Sequence, residues 1–228
     1  DQLMAVYKDE KARFPAYLDD HAFLLDAVLE LLQARWDPLH LAFATWLAEQ
    51  LLDRFQDTER GGFYFTASDH EQLRHRSRPF ADESVPAGNA VAALSLNRLG
   101  HLLGETRYLD AAEQTLRAGW GPMSEFPHGH AALVAALEEY LHPPTTVIIR
   151  GDADACRTWS RQLDGLYAPR QQRFAIPDDA ENLPGALADR APRGGTVAYV
   201  CEGTHCGAPI SKLEELAAAL SQAEHTAD

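Results

Sequence analysis

Five segments before residue 144 carry apolar residues at helical spacing. Three of them are apolar on nearly every side: residues 20–34, the segment that opens at Pro86, and His128–Leu141. The two segments between them, which open at Pro38 and Thr106, have one apolar and one polar face. This alternation of buried-type and surface-type helices is typical of an α/α toroid, in which helical hairpins stack with inner and outer helices.

The residue pattern between the second and third helical segments is not helical. Gly61 and Gly62 indicate a turn, and residues 63–66 predict a short aromatic strand. Residues 73–76 can pair with that strand, so we expect a β-hairpin at one end of the helical ring.

After Pro144 the pattern becomes that of a small α/β unit. The predicted elements are strands at 147–149, 173–176 and 196–200, and helices at 153–163 and from Ser211. The sequence therefore predicts a mainly α fold, with a partial toroid and a short β-hairpin in residues 1–144 and an α/β unit in residues 145–228. Five helices cannot close a ring, so we expect further hairpins upstream or association of copies of the chain.

Composition and charge exclude several classes of protein. Hydrophobic residues make up 46% and charged residues 24%, which is ordinary globular composition. The net charge of −14 repels phosphate groups, so nucleic acid and anionic membrane surfaces are not expected as partners. No apolar run reaches the roughly 18 residues that a membrane-spanning helix needs.

The cysteines and the first residues concern the cellular compartment. Three cysteines do not make a disulfide scaffold, and an odd count fits a reducing cytoplasm. The opening residues lack the basic start and apolar core of a signal peptide. Because the chain begins with Asp1, we expect it to be a piece of a longer protein.

Four separated motifs occur in one order and together carry a family resemblance. They are Asp19-Asp20-His21-Ala22-Phe23, the segment 60–66, the segment 86–92, and Ala198-Tyr199-Val200-Cys201 with Cys206 and Pro209. The chain resembles the C-terminal part of the thioredoxin-domain family that includes spermatogenesis-associated protein 20. The resemblance implies an upstream thioredoxin-like domain joined to an (α/α)6 barrel, similar to the barrels of N-acylglucosamine 2-epimerases and six-hairpin glycosidases. The first barrel hairpins would also lie upstream.

In such a barrel a ligand would bind in the funnel where the inner helices begin, because free backbone N–H groups suit hydroxyl-rich or anionic ligands. The candidate pocket residues share this end of the predicted helices or the loop that precedes them. They are Asp20, His21, Arg76, Asp82, Asn89, Phe126 and His128. We expect a small carbohydrate as ligand, with Phe126 stacking on the sugar and Arg76 and Asp82 binding hydroxyl or carboxylate groups.

Three functions remain open for this pocket. An epimerase needs an acid and a base, and His128 and His21 suit both roles, although each histidine can instead make local hydrogen bonds near a helix start. A glycosidase needs two carboxylates, for which Asp20 and Asp82 are the candidates, although helix capping explains Asp20 without catalysis. The third reading is a non-catalytic barrel that binds a ligand or a partner.

No cofactor or metal is expected. The chain has no dinucleotide-binding or Walker glycine pattern. In Cys201-Glu202-Gly203-Thr204-His205-Cys206, two thiolates and an imidazole suggest zinc, but a structural zinc site needs a fourth ligand. The spacing is also not that of a C-x-x-C redox motif. We therefore expect a structural cysteine pair, either reduced or disulfide-bonded.

Overall fold

A computed structural model of the chain describes residues 2–70, 74–165, 168 and 170–225. The described residues form a mainly α fold with a short β-hairpin and a small α/β unit, as the sequence predicts. They divide into two compact units. The first holds residues up to Glu30, Leu39–Gly100 and Glu105–His142, and the second holds Leu31–Pro38, His101–Gly104 and the residues from Pro143 onward.

A β-hairpin that the sequence analysis missed opens the first unit. Strands β1 (Met4–Lys8) and β2 (Lys11–Pro15) pair antiparallel through a two-residue turn. Asp9 and Glu10 in that turn have φ angles of 52° and 56°. A turn with two positive φ angles is usually signalled by Asn-Gly or Asp-Gly, so Asp-Glu gave no warning of it.

Among the described residues, 63–66 and 74–76 do not pair as the expected hairpin. Residues 63–66 contribute one isolated bridge, between Gln56 and Phe63. The Phe65 N–H donates to the Ser77 carbonyl at 2.8 Å. Leu73 lies outside the described residues. The described residues of this segment have no regular secondary structure, and contacts to the helix starts described below hold them in place.

Five helices form most of the first unit. They are α1 (Leu18–Ala34), α2 (Pro38–Gln50, continued by a π-helical turn at Leu51–Phe55), α3 (Gly88–Leu103), α4 (Thr106–Glu125) and α5 (Ala131–Leu141). The predicted starts at Pro38 and Thr106 are confirmed. Helix α5 begins three residues later than predicted, because Pro127–Gly129 forms a separate 3₁₀ turn and His130 leaves helical geometry with φ −140°.

Arg98 joins α1, α3 and α5. Its guanidinium makes a two-pronged ion pair with Glu139 on α5, at 2.7 and 2.8 Å. On its other side it contacts Glu30 at 3.0 Å and Asp26 at 3.7 Å, both on α1. Helix α3 therefore has α1 and α5 as neighbours.

Helices α2 and α4 are joined by a second polar contact. Glu49 on α2 accepts hydrogen bonds from Arg107 at 2.9 Å and from the Tyr108 hydroxyl at 2.6 Å.

Small residues let helices α3, α4 and α5 approach closely. Ala87, Ala90 and Ala93 of the α3 region pack in one apolar cluster with residues of α4 and α5.

The second unit is built on a four-stranded sheet with the order β4-β3-β5-β6. Its strands are β3 (Thr145–Gly151), β4 (Gln171–Pro177), β5 (Val197–Glu202) and β6 (His205–Cys206). Strands β3 and β4 are parallel and connected through α6 (Ala153–Leu163), whereas β5 is antiparallel to both neighbours. The predicted α/β unit is present, with β6 as an additional short edge strand.

One face of this sheet packs against α6 and α7 (Leu213–His225). The shared core includes Val147, Ile149, Leu163, Leu216 and Leu220, all buried. Asp152 caps α6 by accepting from the backbone N–H groups of Asp154 and Ala155. None of the described helices in either unit combines the length and apolar character that crossing a bilayer requires.

We predict that Arg98→Ala destabilises the protein by about 2 kcal/mol, because Glu139 is only 17% exposed and would lose its paired cation. Arg98→Lys should lose less, since it keeps the charge but not the two-pronged geometry. Urea unfolding followed by circular dichroism measures both. Arg117→Ala, which removes an exposed pair within α4, is the control and should unfold like the wild type; a loss in the control equal to that in Arg98→Ala would contradict the prediction.

Candidate functional site

Helices α1, α3 and α5 begin at the same end of the first unit. One carboxylate joins two of these starts: Asp82 accepts from the Ala87 N–H just before α3 and from the Ala132 N–H in α5, both at 2.9 Å. The third start is also adjacent, because a Cβ atom on Gly88 would lie only 2.0 Å from Oδ1 of Asp19. The starts of α1, α3 and α5 therefore lie close together.

Asn89 holds the connecting segment onto this end. Its Oδ1 accepts from the Phe63 N–H at 2.6 Å, and its Nδ2 donates to the carbonyls of Phe63 at 2.9 Å and Pro79 at 2.8 Å. Both donor hydrogens of the amide are engaged, and the side chain is fully buried. Asn89 thus holds the connecting segment at the helix starts and offers no free donor to a ligand.

Gly62 makes the Asn89 contact sterically feasible. Its φ of 77° lies in the left-handed region, and an added Cβ would meet Oδ1 of Asn89 at 3.0 Å and the Phe80 ring at 2.8 Å. The glycine pair identified in the sequence therefore serves a close approach between a loop and a helix start.

Arg76 is engaged with the connecting segment. Its guanidinium donates to the Thr66 carbonyl and lies 4.1 Å from the centre of the Tyr64 ring. Arg78 beside it donates to the Gly61 carbonyl and pairs with Asp57 at 3.4 Å. These contacts tie the loop together. Of the buried donors on these two side chains, only Nε of Arg76 lacks a hydrogen-bond partner among the described residues.

His21 lies inside the first unit. Its ring is fully buried, 4.9 Å from the Phe55 ring and 6.5 Å from the Trp46 ring between centres. Nδ1 is 2.8 Å from the Tyr17 carbonyl, while Nε2 has no hydrogen-bond partner among the described residues. Burial lowers the pKa of His21, so the ring is neutral near pH 7 and a ligand reaches it only if the packing around it opens.

Asp20 caps α1. Its Oδ2 accepts from the Tyr17 N–H at 2.8 Å, the backward half of a capping box. Asp19, one residue earlier, is the side chain that sequence reasoning did not select. Burial raises the pKa of Asp19, and the Asp20 carboxylate raises it further, against the opposing effect of the Gly88 N–H. The Asp-Asp pair before an apolar helix was the available signal.

Phe126 and His128 are the accessible candidates at this end. Phe126 is 60% exposed, and its ring meets the His128 ring edge-on at 6.1 Å between centres. Their turn is fixed to the site because the Asp82 N–H donates to the Gly129 carbonyl at 2.8 Å. His130, which follows, is buried and contacts the Phe126 carbonyl through Nδ1 at 2.8 Å.

The candidate site thus combines carboxylates at the helix starts with an exposed aromatic–histidine pair just before α5. Asp19, Asp20 and Asp82 contribute carboxylates, and Phe126 and His128 contribute accessible rings. Within the described ranges, no group of three or more histidine, cysteine or acidic side chains is arranged to hold a metal ion. The arrangement can accept hydrogen bonds from hydroxyl groups, stack on an apolar ring face and move a proton at His128.

Known proteins with similar sequences cover most of the chain. No protein-family model matches it. It is 26% identical over 208 residues to human spermatogenesis-associated protein 20, covering 88% of this chain and 26% of that protein. The rat protein of the same name is 25% identical over 214 residues, covering 90% and 27%, and the mouse protein is 24% identical with the same coverage.

The chain therefore spans about a quarter of the length of these relatives. The homology supports the family indicated by the four motifs. Their shared name describes neither a reaction nor a ligand, so it leaves the chemistry of the site to be argued from the residues.

Asn89→Ala should lower the free energy of unfolding by about 3 kcal/mol, because it strands the polar backbone groups of Phe63 and Pro79 in a buried place. Asn97→Ala is the matched control: Asn97 is 1% exposed in the same helix, and its amide has no hydrogen-bond partner among the described residues. That change should cost under about 1 kcal/mol. Urea unfolding distinguishes the two variants. Equal losses of unfolding free energy would contradict the role of Asn89 in holding the connecting segment.

His21 should make stability depend on pH. Its pKa is lower in the folded state, so the unfolded chain binds the proton more readily and stability falls as the pH drops below about 6.5 toward the folded-state pKa. Above that range the contribution is fully present. Unfolding free energies measured from pH 7.5 to 5 should fall less steeply in His21→Phe, and parallel curves would show that His21 does not cause the dependence.

Proposed function

We propose that this chain is part of a helical-hairpin barrel whose funnel binds a carbohydrate where α1, α3 and α5 begin. The observation that carries this proposal is the convergence of three helix starts beside an exposed aromatic–histidine pair. Arg98 supports the barrel reading, because it gives α3 a neighbour on each side. A ring of such helices would have its open end lined by Asp19, Phe126 and His128.

The chemistry of this end favours a neutral, hydroxyl-rich ligand. Carboxylates accept hydrogen bonds from sugar hydroxyls, and the half-exposed ring of Phe126 offers a face for the apolar side of a sugar. The carboxylates also repel phosphate groups, and Arg76 is already engaged with Thr66. We therefore expect an uncharged sugar or amino sugar rather than a sugar phosphate.

If the domain is catalytic, the reaction is isomerisation of the N-acylglucosamine 2-epimerase type. His128 would take or return the proton next to a carbonyl. The buried His21 is a poor second proton carrier, because its ring has no solvent exposure. Asp19 replaces it in this proposal, since its raised pKa suits a carboxyl group that donates a proton.

The alternatives differ in how well the contacts support them. A glycosidase with Asp20 and Asp82 has less support, because Asp82 uses both oxygens as acceptors for backbone N–H groups and Asp20 uses one. A binding domain without catalysis is the second candidate. It is favoured by the fact that Asn89 and Asp82 are engaged in holding the fold together.

The wider setting also belongs to the proposal. A thioredoxin-like domain and the remaining barrel hairpins would lie in the longer protein, or copies of this chain would supply the missing helices. A cytoplasmic location follows from the cysteine count as an expectation. Neither nucleic acid nor a membrane is expected as a partner.

The test begins with binding. Thermal-shift and NMR titrations of the chain, and of any longer protein that contains it, should show saturable binding of N-acetylglucosamine, N-acetylmannosamine, glucose or mannose. Phe126→Ala should weaken binding about fivefold, the effect of losing one aromatic stack of about 1 kcal/mol. Trp120→Ala, which removes another exposed ring, is the control. Absence of binding to every sugar in both proteins overturns the carbohydrate proposal.

Catalysis is tested with the sugar that binds. An epimerase incorporates deuterium from solvent at the carbon next to the carbonyl, and His128→Gln should abolish this incorporation while leaving binding intact. Reducing ends released from an oligosaccharide, and lost in Asp82→Asn with folding intact, would identify a glycosidase instead. Binding with neither reaction would identify the non-catalytic domain.

A further inference from the structure

A disulfide lies at the edge of the sheet in the second unit. Cys201 in β5 and Cys206 in β6 are directly opposite each other in the antiparallel pairing and form a disulfide bond. Their Cα atoms are 3.9 Å apart, with four residues between them in sequence. Strand β6 has only two residues, so the disulfide is a principal link between this edge and the sheet.

The two sulfur atoms have different surroundings. Cys201 is 4% exposed and belongs to the buried side of β5. Cys206 is partly exposed, and its neighbours His205 and Gly207 are exposed, so a reagent in solution can reach it. The remaining cysteine does not compete, because Cys156 is buried and burial raises its pKa to about 11.

A cation lies against the accessible sulfur. Arg190 donates from Nη2 to Sγ of Cys206 at 2.8 Å. Its other terminal nitrogen donates to the Ala186 carbonyl at 2.8 Å, so the guanidinium is fixed in place, and only 16% of the side chain is exposed. The nearest acid, Asp189, is 3.7 Å away and 82% exposed, so solvent screens its effect.

We propose that Cys201 and Cys206 are a reversible thiol–disulfide site, in which Cys206 is the reactive cysteine and Arg190 stabilises its thiolate. A guanidinium beside a cysteine favours the thiolate, and the thiolate is the form that exchanges disulfides. The bond is therefore a reaction site for a dithiol, in addition to its role in holding β6. This inference does not depend on the carbohydrate proposal.

The exchange balances with a dithiol as reductant. One thiolate of the dithiol attacks Sγ of Cys206, the S–S bond breaks, and Cys201 leaves with the electron pair and takes a proton from solvent. The second thiolate of the dithiol then attacks the dithiol's first sulfur, which is bonded to Cys206 in the mixed disulfide. Cys206 leaves as a thiolate beside Arg190, and two electrons have passed from the dithiol to the protein. Oxidation by the intramolecular disulfide form of the dithiol is the reverse.

Alkylation of the reduced protein tests the proposal. The native chain is reduced with dithiothreitol, the reagent is removed, and iodoacetamide labelling of Cys206 is followed by mass spectrometry from pH 5 to 10. We expect half-maximal labelling below the ordinary thiol pKa of about 8.5. Arg190→Gln should slow labelling about tenfold at pH 7, which corresponds to a shift of one pH unit in the profile.

Two controls keep the result interpretable. Arg193→Gln alters a nearby arginine that contacts the Tyr199 hydroxyl at 3.3 Å, and it should leave the Cys206 profile unchanged. Circular dichroism verifies that each variant is folded. If Arg190→Gln does not fold, the wild-type pH profile still tests the proposal. A disulfide that dithiothreitol reduces only after urea unfolds the protein would overturn the proposal. So would a labelling profile at the ordinary thiol pH, or one that Arg190→Gln does not move.

Discussion

Every α-helix begins with backbone N–H groups that have no partner within the helix, and this constraint organises the first unit. Carboxylates supply the acceptors. Asp82 accepts from backbone groups at the starts of α3 and α5, and Asp20 accepts from the residue that precedes α1. Because one carboxylate serves two helices, the starts of those helices must lie at one end. The alignment of the inner helices and the position of the candidate site both follow from this sharing.

The same requirement explains why several residues predicted to bind a ligand have mainly structural roles. A connection of more than thirty residues between the π-helical turn and α3 carries many polar backbone groups that need partners close to the core. Asn89 and Arg76 provide them through hydrogen bonds to Phe63, Pro79 and Thr66. Side chains engaged in this way hold the connection onto the helix starts. The groups that we propose for a ligand are therefore Phe126, His128 and Asp19.

Local signals predicted much of the fold because they act within one or two turns of chain. Pro38 and Thr106 begin their helices as expected, and the strand around Val147 and the helix from Ala153 also form. The first hairpin was missed because Asp9 and Glu10 adopt positive φ angles without a glycine. The strand expected at 63–66 is replaced by contacts to Asn89, which lies 26 positions away. No periodicity in a short segment reports such a distant partner.

The sequence by itself determined which segments are helices, and that acidic and aromatic residues accompany the helix starts. Spacing and capping decide these features, and both act over a few residues. The sequence did not determine the burial of the helices: α5 was predicted to be buried on nearly every side, but of its described residues only Leu133 and Ala136 are buried, and Leu141 is exposed. Only the tertiary structure decided that His21 is enclosed by Phe55 and Trp46, that Asp82 spans two helices, and that Arg190 lies on the sulfur of Cys206. Burial and hydrogen-bond partners depend on residues far apart in the chain, so they exist only once the chain has packed.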